Sequence, residues 1–152
     1  MQYPLVTLLT PCFNTGKYIH RLLDSVLKQT YPNIEMYVID DGSTDNSKEI
    51  IFNYKELFSQ RGFSLNYLYQ KNSGQSVAIQ NGLQYVHGKY IAWPDRDDFY
   101  AADNAIERMV SVLLMYFFVN LHLSRLCYKL STFYYTIRHC IYSLMKYFLS
   151  MK

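Results

Sequence analysis

The last 45 residues of this 152-residue chain contain no Asp, Glu, Gly or Pro. They carry six Lys and Arg residues, so residues 108–152 have a formal charge of +6, whereas residues 1–107 have −3 (nine basic minus twelve acidic). The missing carboxylates exclude an acidic catalytic group from this segment, and the missing Gly and Pro leave it few turn formers. Ten of its residues are Tyr or Phe, which marks an abrupt change in composition.

The whole sequence also lacks the patterns of several kinds of site. Neither glycine-rich phosphate-binding pattern, G-x-x-x-x-G-K-[ST] or G-x-G-x-x-G, occurs in it. The three cysteines form no C-x-x-C pair and the four histidines are scattered, which argues against a zinc site. No nucleic-acid-binding module is recognisable, so nucleic acid is not a predicted partner. An odd cysteine count without a signal peptide predicts reduced thiols and a cytoplasmic protein.

Residues 1–107 do contain a regular alternation of strand and helix patterns. Short apolar runs predict four strands, at Leu5–Thr10, Ile34–Ile39, Leu65–Tyr69 and Tyr90–Trp93, and we expect the last to be buried. Strands that alternate with helices predict an α/β fold, with a Rossmann-like parallel sheet covered by helices on both faces.

Three amphipathic helices are predicted between these strands. The first has an apolar stripe at helical spacing, formed by Ile19, Leu22, Leu23, Val26 and Leu27. The third carries Val77, Ala78, Leu83 and Val86. We expect Asn46 and Glu49 to cap the second helix, and Gly88 to end the third.

Polar clusters follow all four predicted strands, at Pro11–Asn14, Asp40–Ser43, Gln70–Gln75 and Asp95–Asp98. Because the carboxyl ends of parallel strands share one edge of a sheet, these clusters should meet in one crevice. Acidic residues dominate them, and an acidic crevice would repel a nucleotide diphosphate unless a metal ion lay between the two. The sequence therefore predicts a site for a nucleotide and a metal.

The segment Trp93-Pro-Asp-Arg-Asp-Asp98 is the candidate metal site. If it is extended, alternation places Asp95 and Asp97 on one side and Arg96 on the other. Two neighbouring carboxylates repel each other unless a cation lies between them, and oxygen ligands suit Mn²⁺ or Mg²⁺. An isolated D-x-D is more often a solvated acidic turn, but here three further polar clusters are predicted at the same edge.

These residues resemble the family-2 glycosyltransferases, which have the GT-A fold. The resemblance covers about residues 4–113 and rests on an ordered set of motifs: Thr30-Tyr-Pro-Asn-Ile-Glu35, Val38-Ile-Asp-Asp-Gly-Ser-Thr-Asp-Asn-Ser47, Asn72-Ser-Gly74, Ala78 with Gly82, and Gly88-Lys-Tyr-Ile91 before the acidic cluster. It implies a GT-A domain at residues 1–113, with a hydrophobic, basic tail predicted to be helical at 114–152. It also implies transfer of a sugar, with inversion, from a nucleotide diphosphate donor such as a UDP-sugar.

The resemblance also implies roles for single residues. Asp97 would bind the metal, Asp95 would lie near the metal or the ribose, and Asp41 would accept a hydrogen bond from the base. Asp40 would support its own loop or the ribose. The remaining nucleotide-binding residues would be Pro11, Asn14, Asn72 and Gly74.

Three departures from the family pattern bear on these roles. Phe13 stands where the family commonly has Tyr, and Ile79-Gln80 replaces a frequent Arg-Asn pair. Arg96 occupies a position usually held by a small or acidic residue. Its guanidinium could pair with the neighbouring carboxylates and weaken metal binding, or it could point at the phosphates.

The tail allows three interpretations. The first in rank is a truncated or frame-disrupted coding sequence, because both turn residues and acidic residues are missing. The second is an amphipathic helix on an anionic membrane surface, since the apolar run Met109–Leu123 is too short to span a bilayer. The third is a pair of ordinary packing helices.

Three functions remain open on the sequence. The first is a family-2 glycosyltransferase present as its donor-binding half, whose intact form would use a saccharide or lipid-linked acceptor. The second is a nucleotide-binding remnant without transfer activity. The third is a nucleotidyltransferase-like protein, for which Pro11–Gly16 with Lys17 is a poor version of the usual basic loop.

We predict that residues 1–152 by themselves transfer no sugar to any acceptor. Inverting transfer needs a base for the acceptor hydroxyl, and such a group contributes roughly 10²–10⁴-fold. No carboxylate lies beyond Glu107, so no catalytic base is assigned. A transfer assay with a UDP-sugar should show slow donor hydrolysis at most. Robust transfer would contradict this and direct attention to His122 and His139.

Overall fold

The structure of the chain, a computed structural model, describes residues 3–126 and, beyond Met115, only their backbone. Strands and helices alternate along the first part, as predicted. The strands are β1 (Val6–Cys12), β2 (Ile34–Asp41), β3 (Ser64–Gln70) and β4 (Tyr90–Ala92). The helices are α1 (Ile19–Leu27), α2 (Ser47–Gln60), α3 (Gln75–Gly82) and α4 (Ala105–Leu126), with a short 3₁₀ turn at Leu83–Tyr85.

The four strands form one parallel sheet in the order β3-β2-β1-β4. β1 and β2 lie in the middle, and every residue of both strands is buried. Burial on both faces is typical of a parallel sheet whose crossover helices cover it. The predicted α/β fold with a Rossmann-like sheet is therefore confirmed.

The strands extend further toward the polar clusters than the sequence predicts. β1 includes Pro11 and Cys12, and β2 includes both Asp40 and Asp41. Cys12 pairs with Asp40, and Asp41 pairs with Gln70 at the end of β3. The two aspartates are thus held by the sheet itself and do not lie on a loop.

The apolar stripe of α1 forms part of the core as predicted. Ile19, Leu22, Leu23 and Val26 are fully buried. Leu27, at the end of the helix, is half-buried. Burial of one such aliphatic side chain stabilises the fold by about 1.5–3 kcal/mol, so the stripe is a major contribution to stability.

The expectation that Tyr90–Trp93 is a buried strand is wrong. β4 ends at Ala92, Ile91 is 38% exposed and Trp93 is 56% exposed. The reason is position in the sheet: among the described residues β4 pairs with β1 alone, so its other edge has no neighbouring strand. An apolar run by itself does not distinguish a central strand from one at the end of a sheet.

The third helix is shorter than predicted, and Gly88 does not end it. α3 stops at Gly82, and of the predicted stripe only Ala78 is buried. A Cβ at Gly88 would lie 2.4 Å from the Thr7 hydroxyl oxygen and 2.6 Å from the Thr7 backbone nitrogen. Glycine is therefore required here because the chain passes close to β1 before entering β4.

A buried carboxylate fastens this crossover at the amino-terminal edge of the sheet. Glu35 accepts hydrogen bonds from the Thr7 hydroxyl and from the backbone N–H groups of His87 (2.9 Å) and Gly88 (3.2 Å). Glu35 thus connects β1, β2 and the segment before β4, at the edge opposite the polar clusters.

The chain divides into two units after Glu107, and the first, residues 1–107, contains the whole sheet. His122 lies in the described backbone of α4, whereas His139 and the rest of the predicted tail lie outside the described residues. Within residues 3–126, no helix combines the length and the apolar character needed to cross a membrane.

Candidate functional site

Asn14 joins the loop after β1 to the loop after β2. Its backbone N–H donates to Ser43 Oγ (2.9 Å), and its Oδ1 accepts from the backbone N–H of Thr44 (2.9 Å). Asn14 has a φ of +51°, a left-handed conformation that asparagine adopts more readily than most residues. Two of the four predicted clusters are therefore joined through one residue, whose side chain remains exposed.

Asp45 strengthens the same junction and caps α2. Its Oδ1 accepts from the Ser47 backbone N–H (3.0 Å), and its Oδ2 accepts from the Gly16 N–H (2.9 Å). Burial raises the pKa of Asp45, but the hydrogen bonds from the Ser47 hydroxyl and from the Gly16 and Ser47 N–H groups more than offset it, so the pKa lies below its usual value.

The expected capping pair of Asn46 and Glu49 is not formed. Asn46 makes no side-chain capping hydrogen bond at the start of α2. Asp45, one residue earlier, supplies the cap because its carboxylate also reaches Gly16 in the neighbouring loop. The sequence pattern places the N-cap position at Asn46 correctly, but the side-chain hydrogen bond to the first turn comes from Asp45.

Asp40 is buried at the floor of this edge. Its Oδ1 accepts from the Ser43 N–H (2.8 Å) and its Oδ2 accepts from the Tyr67 hydroxyl (2.6 Å). Burial and the bond to Asp40 both raise the pKa of Tyr67, so the tyrosine remains a neutral donor. Asp40 thus holds the loop after β2 in place, which is one of the two roles that the resemblance implies for it.

Asp41 holds the loop between β3 and α3. Its Oδ1 accepts from Gln70 Nε2 (2.7 Å) and the Ser73 N–H (2.8 Å), and its Oδ2 accepts from the Gly74 N–H (2.8 Å). Burial raises the pKa of Asp41, and the three hydrogen bonds together lower it further than burial raises it. The carboxylate is therefore ionised at neutral pH although it is only 4% exposed.

Asn72 lies in the loop after β3, where that loop passes the loop after β2. A Cβ on Gly42 would lie 2.8 Å from the Asn72 backbone nitrogen, so the loop after β2 and the loop after β3 pass very close to each other. Gly42 and Gly74 both have a positive φ, +81° and +91°, which favours glycine at each. Asn72 and Gly74 themselves are exposed.

The acidic cluster forms a turn and not the extended segment that alternation assumes. The Asp98 N–H donates to the Asp95 carbonyl oxygen (3.0 Å), which places Arg96 and Asp97 at the corner of the turn. The extended conformation on which alternation would place Asp95 and Asp97 on one side is therefore not formed. Pro94 disfavours continuation of the strand, and the four residues after it all favour turns or solvent. The extended conformation therefore ends before the acidic cluster begins.

This turn contacts the other clusters through two hydrogen bonds. Gln75 Nε2 donates to Asp95 Oδ1 (3.2 Å), and Thr10 Oγ1 donates to the Pro94 carbonyl oxygen (3.1 Å). Asp97 is exposed, and Arg96 forms no ion pair with Asp95 or Asp97. In the part of the chain that the structure describes, no three His, Cys, Asp or Glu side chains are grouped to hold a metal ion.

The structure thus places the predicted site residues along one edge, some as exposed groups and some as supports. Asn14, Asn72, Gly74, Asp95 and Asp97 are exposed there, whereas Pro11, Asp40 and Asp41 are buried in the strand ends. Sequence reasoning missed five residues that connect the loops: Thr10, Asp45, Tyr67, Gln70 and Gln75. Gln70 and Gln75 delimit one of the predicted polar clusters, but their bonds to Asp41 and Asp95 depend on strand pairing that the spacing of residue types does not reveal.

The sequence model of the family described as "Glycosyl transferase family 2" matches residues 7–151 of this chain. The chain belongs to this family. The match selects the glycosyltransferase hypothesis over the nucleotidyltransferase-like one. The matched range continues past residue 113, where the resemblance based on sequence motifs ends.

Known glycosyltransferases are similar in sequence. An uncharacterized glycosyltransferase of Rickettsia prowazekii is 37% identical over 110 residues, which cover 72% of this chain and 32% of the relative. The chain therefore spans about a third of the length of this curated relative.

Solved structures share the GT-A fold. TarS 1-349 of Staphylococcus aureus in complex with UDP has a TM-score of 0.65 and 26% identity, over 72% of this chain and 32% of that one. The same fragment in complex with UDP-GlcNAc has a TM-score of 0.63. The mannosyltransferase PcManGT from Pyrobaculum calidifontis, in complex with GDP-Man and Mn²⁺, has a TM-score of 0.62 and 24% identity, over 70% of this chain and 31% of that chain.

We predict that Asp41→Asn destabilises this glycosyltransferase at pH 7 by about 2 kcal/mol, because an amide nitrogen would face backbone N–H donors. The pKa of Asp41 is lowered in the folded state, so its contribution is present above the unfolded-state pKa near 3.8 and is lost as pH falls through the folded-state pKa. The difference in unfolding free energy between wild type and variant should therefore become smaller below about pH 4.

Urea unfolding at pH 7 and pH 3 measures this difference in unfolding free energy. Asp103→Asn is the matched control, because Asp103 is exposed and lies outside the loops of the site. An equal loss of stability at both pH values would show that the charge on Asp41 is not what stabilises the loop.

Proposed function

We propose that this chain is the donor-binding part of a family-2 glycosyltransferase and binds a nucleotide diphosphate sugar, with UDP-sugars favoured. The observation that carries the proposal is the set of hydrogen bonds joining all four post-strand segments at one edge of the sheet. Open α/β sheets bind ligands outside the carboxyl ends of their strands. The site is thus preformed by contacts between loops that are far apart in sequence.

A carboxylate acceptor at Asp41 suits uracil. The imide N–H of uracil is a donor, and an ionised Asp41 can only accept. Its three hydrogen bonds leave one acceptor position on Oδ2, since Oδ1 already has two donors. The likeness to the TarS fragment solved with UDP and with UDP-GlcNAc supports the same donor class.

The carboxylates of the 95–98 turn suit a divalent ion. Asp95 and Asp97 are exposed oxygen donors, and neither is engaged by a cationic side chain. Mg²⁺ and related ions are commonly held by one or two carboxylates together with substrate phosphates, so a third protein ligand is not required. We propose that Asp97, assisted by Asp95, holds Mn²⁺ or Mg²⁺ against the diphosphate. The bound ion would neutralise charge on the leaving nucleotide diphosphate.

The acceptor side of the reaction is a further proposal. Inverting transfer needs a base that takes the proton of the acceptor hydroxyl. The carboxylates of residues 3–107 described above support loops or face the donor edge. We propose a saccharide or lipid-linked acceptor on the basis of the family pattern. Contact of the basic tail with a membrane surface is proposed from the composition of residues 108–152.

We predict that UDP binds in the presence of Mn²⁺ and that EDTA abolishes binding. Asp97→Asn should weaken UDP binding about tenfold or more, because it removes a charged ligand from the ion. Isothermal titration calorimetry measures the affinity, with Asp103→Asn as the matched control. Equal UDP affinity with and without metal would exclude the proposed role of Asp97.

We predict that Arg96→Ser separates the two interpretations of this arginine. Arg96 lies at the corner of an exposed turn without an ion pair to the neighbouring aspartates, which favours contact with phosphate over competition with the metal. The variant should then bind UDP more weakly, by about 1 kcal/mol at the high effective dielectric of a surface. Tighter Mn²⁺ binding in Arg96→Ser, measured by the same titration, would support competition with the metal instead.

A further inference from the structure

Gln70 is the one side chain that donates a hydrogen bond to the Asp41 carboxylate within the described residues. Its Nε2 lies 2.7 Å from Asp41 Oδ1, and the other two donors are the backbone N–H groups of Ser73 and Gly74. The parallel register of β2 and β3 places Gln70 directly beside Asp41. The glutamine can therefore reach the carboxylate without leaving its strand.

The orientation of the Gln70 amide is itself determined by a second contact. Asn81 Nδ2 donates to Gln70 Oε1 at 2.7 Å. Because the amide oxygen is engaged on one side by a donor, the NH₂ group is directed to Asp41. Asn81 lies on α3 and Gln70 on β3, so the two elements on either side of the loop act together on one carboxylate.

This arrangement leaves the two oxygens of Asp41 unequal. Oδ1 has two donors, which is its full complement, whereas Oδ2 has one and retains an acceptor position. A base that presents an N–H, as uracil does at N3, can occupy that position. Cytosine presents an unprotonated nitrogen at N3, and two acceptors that face each other repel.

We propose that Gln70 is a specificity-determining positioning residue, which occupies Asp41 Oδ1 so that Oδ2 alone is presented to the N–H of a uracil-type base. The inference rests on the proposed nucleotide-binding function and names the residue that sets its base selectivity. Gln70 acts through Asp41, and no contact between Gln70 and the nucleotide is needed.

Without the Gln70 donor, two consequences follow for Asp41. Oδ1 gains a free acceptor position, so the carboxylate no longer presents a single oxygen. Its negative charge also loses a hydrogen bond, and hydrogen bonds are what hold the pKa of Asp41 down against burial. The carboxylate is then held by two backbone donors alone and is free to rotate, so Oδ2 no longer meets the N–H of a uracil-type base at a fixed position and the advantage of that base over one that presents an acceptor falls.

The test is Gln70→Met, which keeps the length of the side chain and removes the donor. The measurement is the ratio of UDP affinity to CDP affinity of the 152-residue chain with Mn²⁺. We expect the variant to bind UDP about tenfold more weakly, in keeping with the loss of a hydrogen bond to a charged group, while CDP affinity changes less than about threefold. Gln84→Met is the matched control, because Gln84 is exposed and makes no contact with Asp41.

A purely structural role for Gln70 would give a different result. The amide signals of Ser73 and Gly74 in a ¹⁵N correlation spectrum report whether the loop keeps its hydrogen bonds to Asp41. We expect them to persist in Gln70→Met while the UDP to CDP ratio falls. Loss of these signals, with UDP and CDP weakened equally, would overturn the inference.

A second variant keeps the inference testable if Gln70→Met does not fold. Asn81→Leu changes an exposed residue and removes the group that orients the Gln70 amide. We expect a fall of about threefold in the UDP to CDP ratio. An unchanged ratio in a folded variant that still binds UDP overturns this inference alone, whereas failure of the wild-type chain to bind either nucleotide overturns the proposed function with it.

Discussion

The parallel pairing of β1, β2 and β3 is the constraint on which the rest of the site depends. Its register places Cys12 beside Asp40, and Asp41 beside Gln70, so the ends of three strands bring their polar residues to one edge. A shift of one residue in this register would turn each side chain to the other face of the sheet. Because every residue of β1 and β2 is buried, such a shift would bring each side chain against core neighbours of a different size and shape, which close packing does not tolerate.

Three aspartates at this edge are stabilised mainly by backbone amides and uncharged side chains. Asp40, Asp41 and Asp45 each accept at least two hydrogen bonds, from loop N–H groups and from Tyr67 and Gln70 of β3 and Ser47 of α2. Hydrogen bonds of this kind hold the pKa of Asp41 and the pKa of Asp45 below their usual values. The loops are therefore joined without lysine or arginine at these positions.

Much of the fold could be predicted from local pattern. The stripe of α1 was recognisable because its apolar positions recur at helical spacing, and the four strands were recognisable as apolar runs bounded by turn residues. Errors occurred where a long-range contact overrides the local pattern. Gly88 matched a helix stop but is required where the chain passes close to Thr7, and Tyr90–Trp93 matched a buried strand although β4 pairs, among the described residues, with β1 alone.

In the candidate site too, local sequence patterns predicted some features and long-range contacts decided others. Motif spacing singled out Asn14, Asp40, Asp41, Asp95 and Asp97 as candidates, because they lie in the polar clusters that follow the predicted strands. The turn at 95–98 and the cap at Asp45 were not predicted, since each depends on a hydrogen bond that the spacing of residue types does not reveal.

By itself, the sequence determined the α/β class and the edge of the sheet at which the polar groups collect, because periodicity and strand order decide these, and its ordered motifs indicated the family. Only the tertiary structure decided which carboxylates support loops and which remain exposed. The physical reason is that hydrogen-bond partners such as Gln70 for Asp41, or Tyr67 for Asp40, lie 29 and 27 residues away along the chain. Such pairs exist only after the strands have paired in register, so no local pattern could specify them.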